Sequence, residues 1–155
     1  MKSTENIAAI EQRQKWMSVL ARADFDELER RWQSMSIATH YAVLRPAEIG
    51  MIMLRGRVNG NGSPFNMGEA TVTRCSIKME TGEIGSSYIL GRNKQHAELA
   101  ALIDGELLRG QNNHYITEEL LNSLDELEQR RQLSKQQKAA KTKVDFFTFV
   151  RGEDN

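Results

Sequence analysis

The 155-residue chain balances 21 basic against 21 acidic side chains, so no global charge draws it to nucleic acid or anionic lipid, and any anion site must be local. Its one cysteine excludes an intrachain disulfide, a paired-cysteine redox motif and an iron–sulfur cluster held by several cysteines of this chain. The length supports one domain with its own core. The sequence shows neither an apolar leader nor a run of roughly 20 apolar residues, and this predicts a soluble protein of the reducing cytoplasm.

Ile7, Ile10, Met17 and Leu20 recur at helical spacing, which predicts a first helix over about 4–22. Asp24 offers a carboxylate N-cap with Glu27 three residues on, and Phe25, Leu28 and Trp32 continue the period, so a second helix is expected to about Met35. Pro46 and Gly50 then punctuate the opening of a strand. Its alternation puts Ile52, Leu54 and Val58 on one face and Met51, Met53, Arg55 and Arg57 on the other. A Gly/Asn/Ser/Pro stretch follows and reads as a loop. From Ala70 to Met79, alternation sets Thr71, Thr73, Cys75, Ile77 and Met79 against Val72, Arg74 and Lys78. Thr81-Gly82 predicts a tight turn into a strand over Ile84 to Leu90.

Asn93 can cap a helix whose stripe is Leu99, Leu102, Ile103 and Leu107, ending near Gly110. Thr117, Glu118 and Glu119 open another through Leu120, Leu124 and Leu127. The charged run from Glu128 to Lys143 is either a solvated helix face or a connector. Val144 to Val150 alternates as a last strand with an aromatic on each face. The expectation is one α+β domain over 1–155, with a mostly antiparallel sheet of three to five strands flanked by helices. Within it, 1–43 would be helical, 44–92 the sheet with its central loop, 93–142 helices and 143–150 a strand. The N-terminal helices and the C-terminal strand are the segments expected to meet other chains.

Functional groups crowd between Arg55 and Cys75: three arginines, one glutamate, four glycines and the cysteine. The glycines have the composition of a phosphate-cradling loop, but their spacing matches neither GxGxxG nor a Walker motif, and the loop feeds a strand. It is therefore either a plain hairpin loop or a direct anion contact. Arg45, Arg55, Arg57 and Arg74 suit bidentate binding of phosphate or phosphonate, or else an ion-pair network with Glu48 and Glu69. Cys75 reads as a buried small side chain, because no neighbouring histidine supplies a base. His40, His96 and His114 are far apart; His96 and Glu98 could contribute one metal ligand apiece, but read first as polar residues on a helix surface. No catalytic residue and no metal ligand is assigned.

The runs Leu44-Arg-Pro-Ala-Glu-Ile-Gly50, Arg55-Gly-Arg57 and Pro64-Phe-Asn-Met-Gly-Glu-Ala-Thr-Val-Thr-Arg-Cys75 resemble the PhnG family, small subunits of the carbon–phosphorus lyase core complex. Arg13-Gln-Lys-Trp-Met17, Gly91-Arg92 with His96-Ala-Glu98, and Lys143-Val-Asp-Phe-Phe147 extend the resemblance along nearly the whole chain. The resemblance implies a subunit that, with its partners, turns ATP and an alkylphosphonate such as methylphosphonate into a ribose 1-alkylphosphonate 5-triphosphate, releasing adenine. It implies a nucleosidase-like partner that carries the displacement, a radical partner holding an iron–sulfur cluster and S-adenosylmethionine, and a further small subunit, arranged as a symmetric hetero-oligomer. No cofactor is expected on this chain. Its candidate interface or anion-contact residues are Arg45, Arg55, Arg57, Asn66, Glu69, Thr71, Thr73, Arg74, Arg92 and His96. The alternative is a stand-alone phosphate-ester or anion-binding enzyme that uses the 55–75 loop.

Overall fold

The computed structural model describes residues 2–141. Two helices, α1 (Lys2–Arg22) and α2 (Phe25–Met35), lead into strands β1 (Tyr41–Arg57), β2 (Pro64–Met79) and β3 (Ile84–Leu90). Helix α3 (Lys94–Arg109) follows. The chain then runs through a short α4 (Asn113–Ile116), a π-helical turn (Thr117–Leu121) and α5 (Asn122–Lys141). The described strands form one antiparallel sheet in the order β1-β2-β3, an α+β arrangement of the kind expected.

Local chemistry sets the helix ends. The Asp24 carboxylate accepts from the Glu27 amide, and the Asn93 side chain accepts from the His96 amide, so both helices start where a side chain replaces a missing carbonyl. Gly110 ends α3 in the left-handed region at φ 82°. The last helical stretch begins at Asn113, four residues before the expected Thr117, and helix continues through the charged run to Lys141. The expected strand 144–150 lies outside the described residues.

One face of the sheet carries the core. Thr73, Cys75, Ile77 and Met79 of β2 are buried on one side, as their alternation predicts, and meet Ala97, Ala101, Ile103 and Leu107 of α3 in a cluster closed by Trp16, Leu20, Leu28, Ile116 and Leu120. From α1, Trp16 and Leu20 join it, with Met17, Val19 and Ala21 packed against it. Ile7 and Ile10, expected on the buried stripe, stand in water, and Trp16, not on that stripe, is buried with Leu20.

Two strand expectations need correcting. β1 begins at Tyr41 and includes Pro46 and Gly50. Register shifts between Val43 and Arg45 and between Arg45 and Glu48 accommodate the proline on β1, an edge strand among the described residues, where no described neighbour needs its missing N–H. The predicted loop shrinks to Val58–Ser63, because β2 starts at Pro64 and not at Ala70. A further shift at Leu54/Arg55 leaves Met67 unpaired, beside Gly68 at φ 138°. This irregular, glycine-containing pairing hides a strand from a period-two reading.

β3 pairs with β2 only from Val72 to Lys78. Beyond it, β1 and β2 continue alone from Met51↔Thr71 to Arg57↔Pro64, a two-stranded ribbon reaching roughly 20 Å past the third strand at about 3.3 Å per residue.

Candidate functional site

The candidate residues fall into four places. At the base of the ribbon, Arg74 Nε donates to Glu48 Oε1 at 2.7 Å, and Arg45 Nη1 stands 3.8 Å from the same oxygen. This realises half of the expected ion-pair network: Glu48 joins it, and Glu69 makes no ion pair among the described residues. All three side chains are exposed enough for solvent to screen them, so the trio contributes little stability.

Arg55, Arg57, Asn66 and Glu69 lie on the ribbon and are exposed. Register puts Asn66 opposite Arg55 and Glu69 opposite Met53. Arg57 Nη1 donates to the Gly62 carbonyl at 3.2 Å, tying down the tip, and neither ribbon arginine has a carboxylate partner among the described residues. Where the ribbon leaves the body, Thr71 and Arg92 line one shallow hollow with Ile49, Gly50 and Met51, about 420 Å³ in volume. Of the ten candidates, this pair alone shares a concave surface with an exposed guanidinium.

Thr73 and His96 are inside. Thr73 is fully buried, and its hydroxyl donates to the Gly91 carbonyl at 2.8 Å, pinning the chain between β3 and α3 to the central strand. His96 is buried as well, against the expectation of a helix-surface residue. Its Nε2 lies 2.8 Å from the Leu20 carbonyl, so the neutral ring carries its proton there, and its ring centroid is 5.9 Å from that of Phe25. It fastens the junction of α1 and α2 to the first turn of α3. Cys75 is buried as expected: its thiol donates to the Arg45 carbonyl at 3.3 Å, and burial, then the nearby Glu98 charge, push its pKa up. A protonated, covered thiol is a poor nucleophile. No group of three or more potential metal ligands forms among the described residues.

Burial holds the His96 pKa below 6.5, and this outweighs the Leu20 hydrogen bond and the Asp24 charge. A lowered histidine pKa means the unfolded chain binds the proton more readily. Stability is then full above about 6.5 and drains away as pH falls from there toward the folded value. Urea midpoints measured from pH 7.5 to 5 should decline for the unsubstituted protein and decline less for His96→Gln. Glu27 acts in a different window. Hydrogen bonds from Arg30 and Arg31 lower its pKa from 4.5, so its contribution is lost only in more acid solution. Equal slopes for both proteins between pH 7.5 and 5 would contradict the assignment to His96.

The most consequential buried charge is one that local sequence signals do not reveal. Asp104, fully buried on α3, accepts four hydrogen bonds: Arg13 Nε at 3.2 Å, Arg13 Nη2 at 2.7 Å, Trp16 Nε1 at 2.8 Å and the Ser86 amide at 2.9 Å. It ties α1, α3 and β3 together. The one local hint was a pair of carboxylates, Asp104 and Glu106, set between Ile103 and Leu107 in an apolar stripe. The largest hollow described, about 740 Å³ between α1 and the π-helical turn with α5, is open and lined by Glu11, Lys15, Arg22 and Asp125 among others, and it holds none of the candidates.

These side chains therefore do not converge on one catalytic pocket. They divide between structural anchors in the body and a projecting ribbon. A protein of Rhizobium meliloti (strain 1021) named alpha-D-ribose 1-methylphosphonate 5-triphosphate synthase subunit PhnG is 38% identical over 154 residues, spanning 97% of this chain and 96% of that protein. The family model described as phosphonate metabolism protein PhnG matches residues 11–152, a span that takes in the Asp104 network, the ribbon and the helices that precede and follow the strands in the chain. With the family model and the relative both covering almost its whole length, the chain belongs to the PhnG family of phosphonate metabolism proteins.

Proposed function

We propose that this chain is a non-catalytic subunit of a cytoplasmic hetero-oligomer that transfers the ribose triphosphate part of ATP to an alkylphosphonate such as methylphosphonate, with adenine released. The near-complete span of its likeness to a protein named as a subunit of that synthase carries the reading. The side-chain chemistry agrees with it: the thiol is buried and protonated, His96 and Thr73 serve as internal fasteners, and the exposed Arg55 and Arg57 sit on a ribbon and not in a pocket. The displacement then belongs to a nucleosidase-like partner that this subunit holds in its active arrangement. The resemblance to this family assigns the iron–sulfur cluster and S-adenosylmethionine that cleave the carbon–phosphorus bond to a radical partner, and this chain, with one cysteine, cannot bind such a cluster by itself.

The test is adenine release from ATP and methylphosphonate, followed by chromatography, for the chain alone, for its co-expressed partner subunits without it, and for the whole set. Activity is expected in the whole set only. Release by the isolated chain would favour the rival reading, a small phosphate-ester or anion-binding enzyme. Undiminished release without the chain would remove its supporting role.

A further inference from the structure

We infer that the ribbon from Met51 to Thr71 enters an apolar cleft on another subunit of the assembly, which covers both ribbon faces and meets Arg55 and Arg57 with carboxylates. This rests on the reading of the chain as a subunit. The first ground is exposed area. Eight large apolar side chains between Ile49 and Met67 are 41–69% exposed. Summed over the two faces, that puts on the order of 800 Å² of these residues' surface in water, about one partner's share of a standard interface.

The second ground is that both faces share in it. Met51 and Met53 alternate with Ile52 and Leu54, and Phe65 and Met67 add to the face that carries Gly56. A flat partner would cover half and leave the other half wet, whereas a cleft covers both. Two-stranded ribbons are at best marginally stable in water by themselves, so the extension gains its rigidity from what encloses it.

Charge selects the occupant. Arg45 and Arg74 at the base share Glu48, but Arg55 and Arg57 have no carboxylate among the described residues, and the ribbon's one acid is Glu69. Ribbon packed on ribbon in a second copy would set four guanidiniums against two carboxylates, which disfavours self-association. A lipid bilayer fits the apolar faces but not the edges. The outer edge of β1, and of β2 beyond Val72, pairs with no strand among the described residues, and hydrocarbon cannot satisfy those amides and carbonyls. A protein cleft can, by adding a strand along an edge.

The test uses the chain co-expressed with its partner subunits. Three double variants are compared, M51E/M53E on one face, I52E/L54E on the other and R55E/R57E, all at exposed positions, so the melting of the isolated chain should not change. Each is expected to lower recovery of the assembly about 10-fold or more, as loss of anchors from an interface centre does. Ribbon amides should exchange with solvent quickly in the isolated chain and slowly in the assembly. If one face variant assembles like the unsubstituted chain, the cleft is wrong. If all three do and the ribbon amides stay unprotected, the ribbon makes no contact, yet the subunit reading survives because the chain still co-purifies. If the unsubstituted chain fails to co-purify, both readings fall. Ribbon protection on phosphatidylserine vesicles but not in the assembly would overturn the protein partner in favour of a membrane.

Discussion

Replacing Asp104 with alanine should cost the fold about 3–5 kcal/mol, the usual loss when one partner of a buried ion pair is removed. The carboxylate has no exposure and receives four hydrogen bonds from three donor groups. Alanine leaves the Trp16 indole N–H and the Ser86 amide without an acceptor, and stranding a buried donor costs its full desolvation, about 1–3 kcal/mol each. Arg13, about one-third exposed, can turn toward water and contributes less to the loss. Asp104→Asn should cost somewhat less, because it keeps the packing and one acceptor oxygen, although its NH₂ then faces N–H donors that the second carboxylate oxygen accepted from. Urea unfolding of both variants checks the order. A loss under about 1 kcal/mol for alanine would mean that packing, not this network, holds α1 to the sheet.

Such a network explains which parts of this molecule can be read along the chain. Asp24 with Glu27 and Asn93 with His96 are caps complete within four residues, so both helix starts were legible. The buried side of β2 followed from alternation, because its Thr73 to Met79 half lies against one helix and keeps a strict period of two. The other half, with Pro64, a bulge at Met67 and Gly68, has loop composition and becomes a strand only because β1 lies beside it. Tertiary pairing there overrides local preference. Asp104 finds its partners 18 to 91 residues away, and His96 finds Leu20 at a separation of 76, distances over which no local pattern carries information. For the candidate site, the Glu48 half of the ion-pair network was visible in residue types alone. That the arginines split between a satisfied base and an unsatisfied ribbon was not, since it depends on how far β1 and β2 outrun β3.

Gly85→Ala should be as damaging as the loss of Asp104, for a different reason. Gly85 is buried on β3 opposite Ile77, and a methyl group built there would overlap the Ala101 carbonyl oxygen and lie 2.6 Å from the Gly105 amide nitrogen. Both obstacles are backbone, so no side chain can rotate away and the whole of α3 must lift from the sheet. Overpacking of this sort costs about 3 kcal/mol or more where the neighbour cannot yield. Gly105→Ala is the control on the facing helix. Its methyl would meet the Met79 sulfur at 2.9 Å and the Ile77 Cδ1 at 3.0 Å, flexible side-chain ends that can shift. Alanine also regains about 1 kcal/mol of helix propensity, so this variant should stay within about 1 kcal/mol of the parent. Because Ser86, next to Gly85, donates its amide to Asp104, raising α3 also stretches that bond, and the two large effects must overlap. The Gly85→Ala, Asp104→Ala double variant should therefore lose less than the sum of the singles. Full additivity, measured from urea midpoints, would show that helix position and the buried carboxylate stabilise the fold independently.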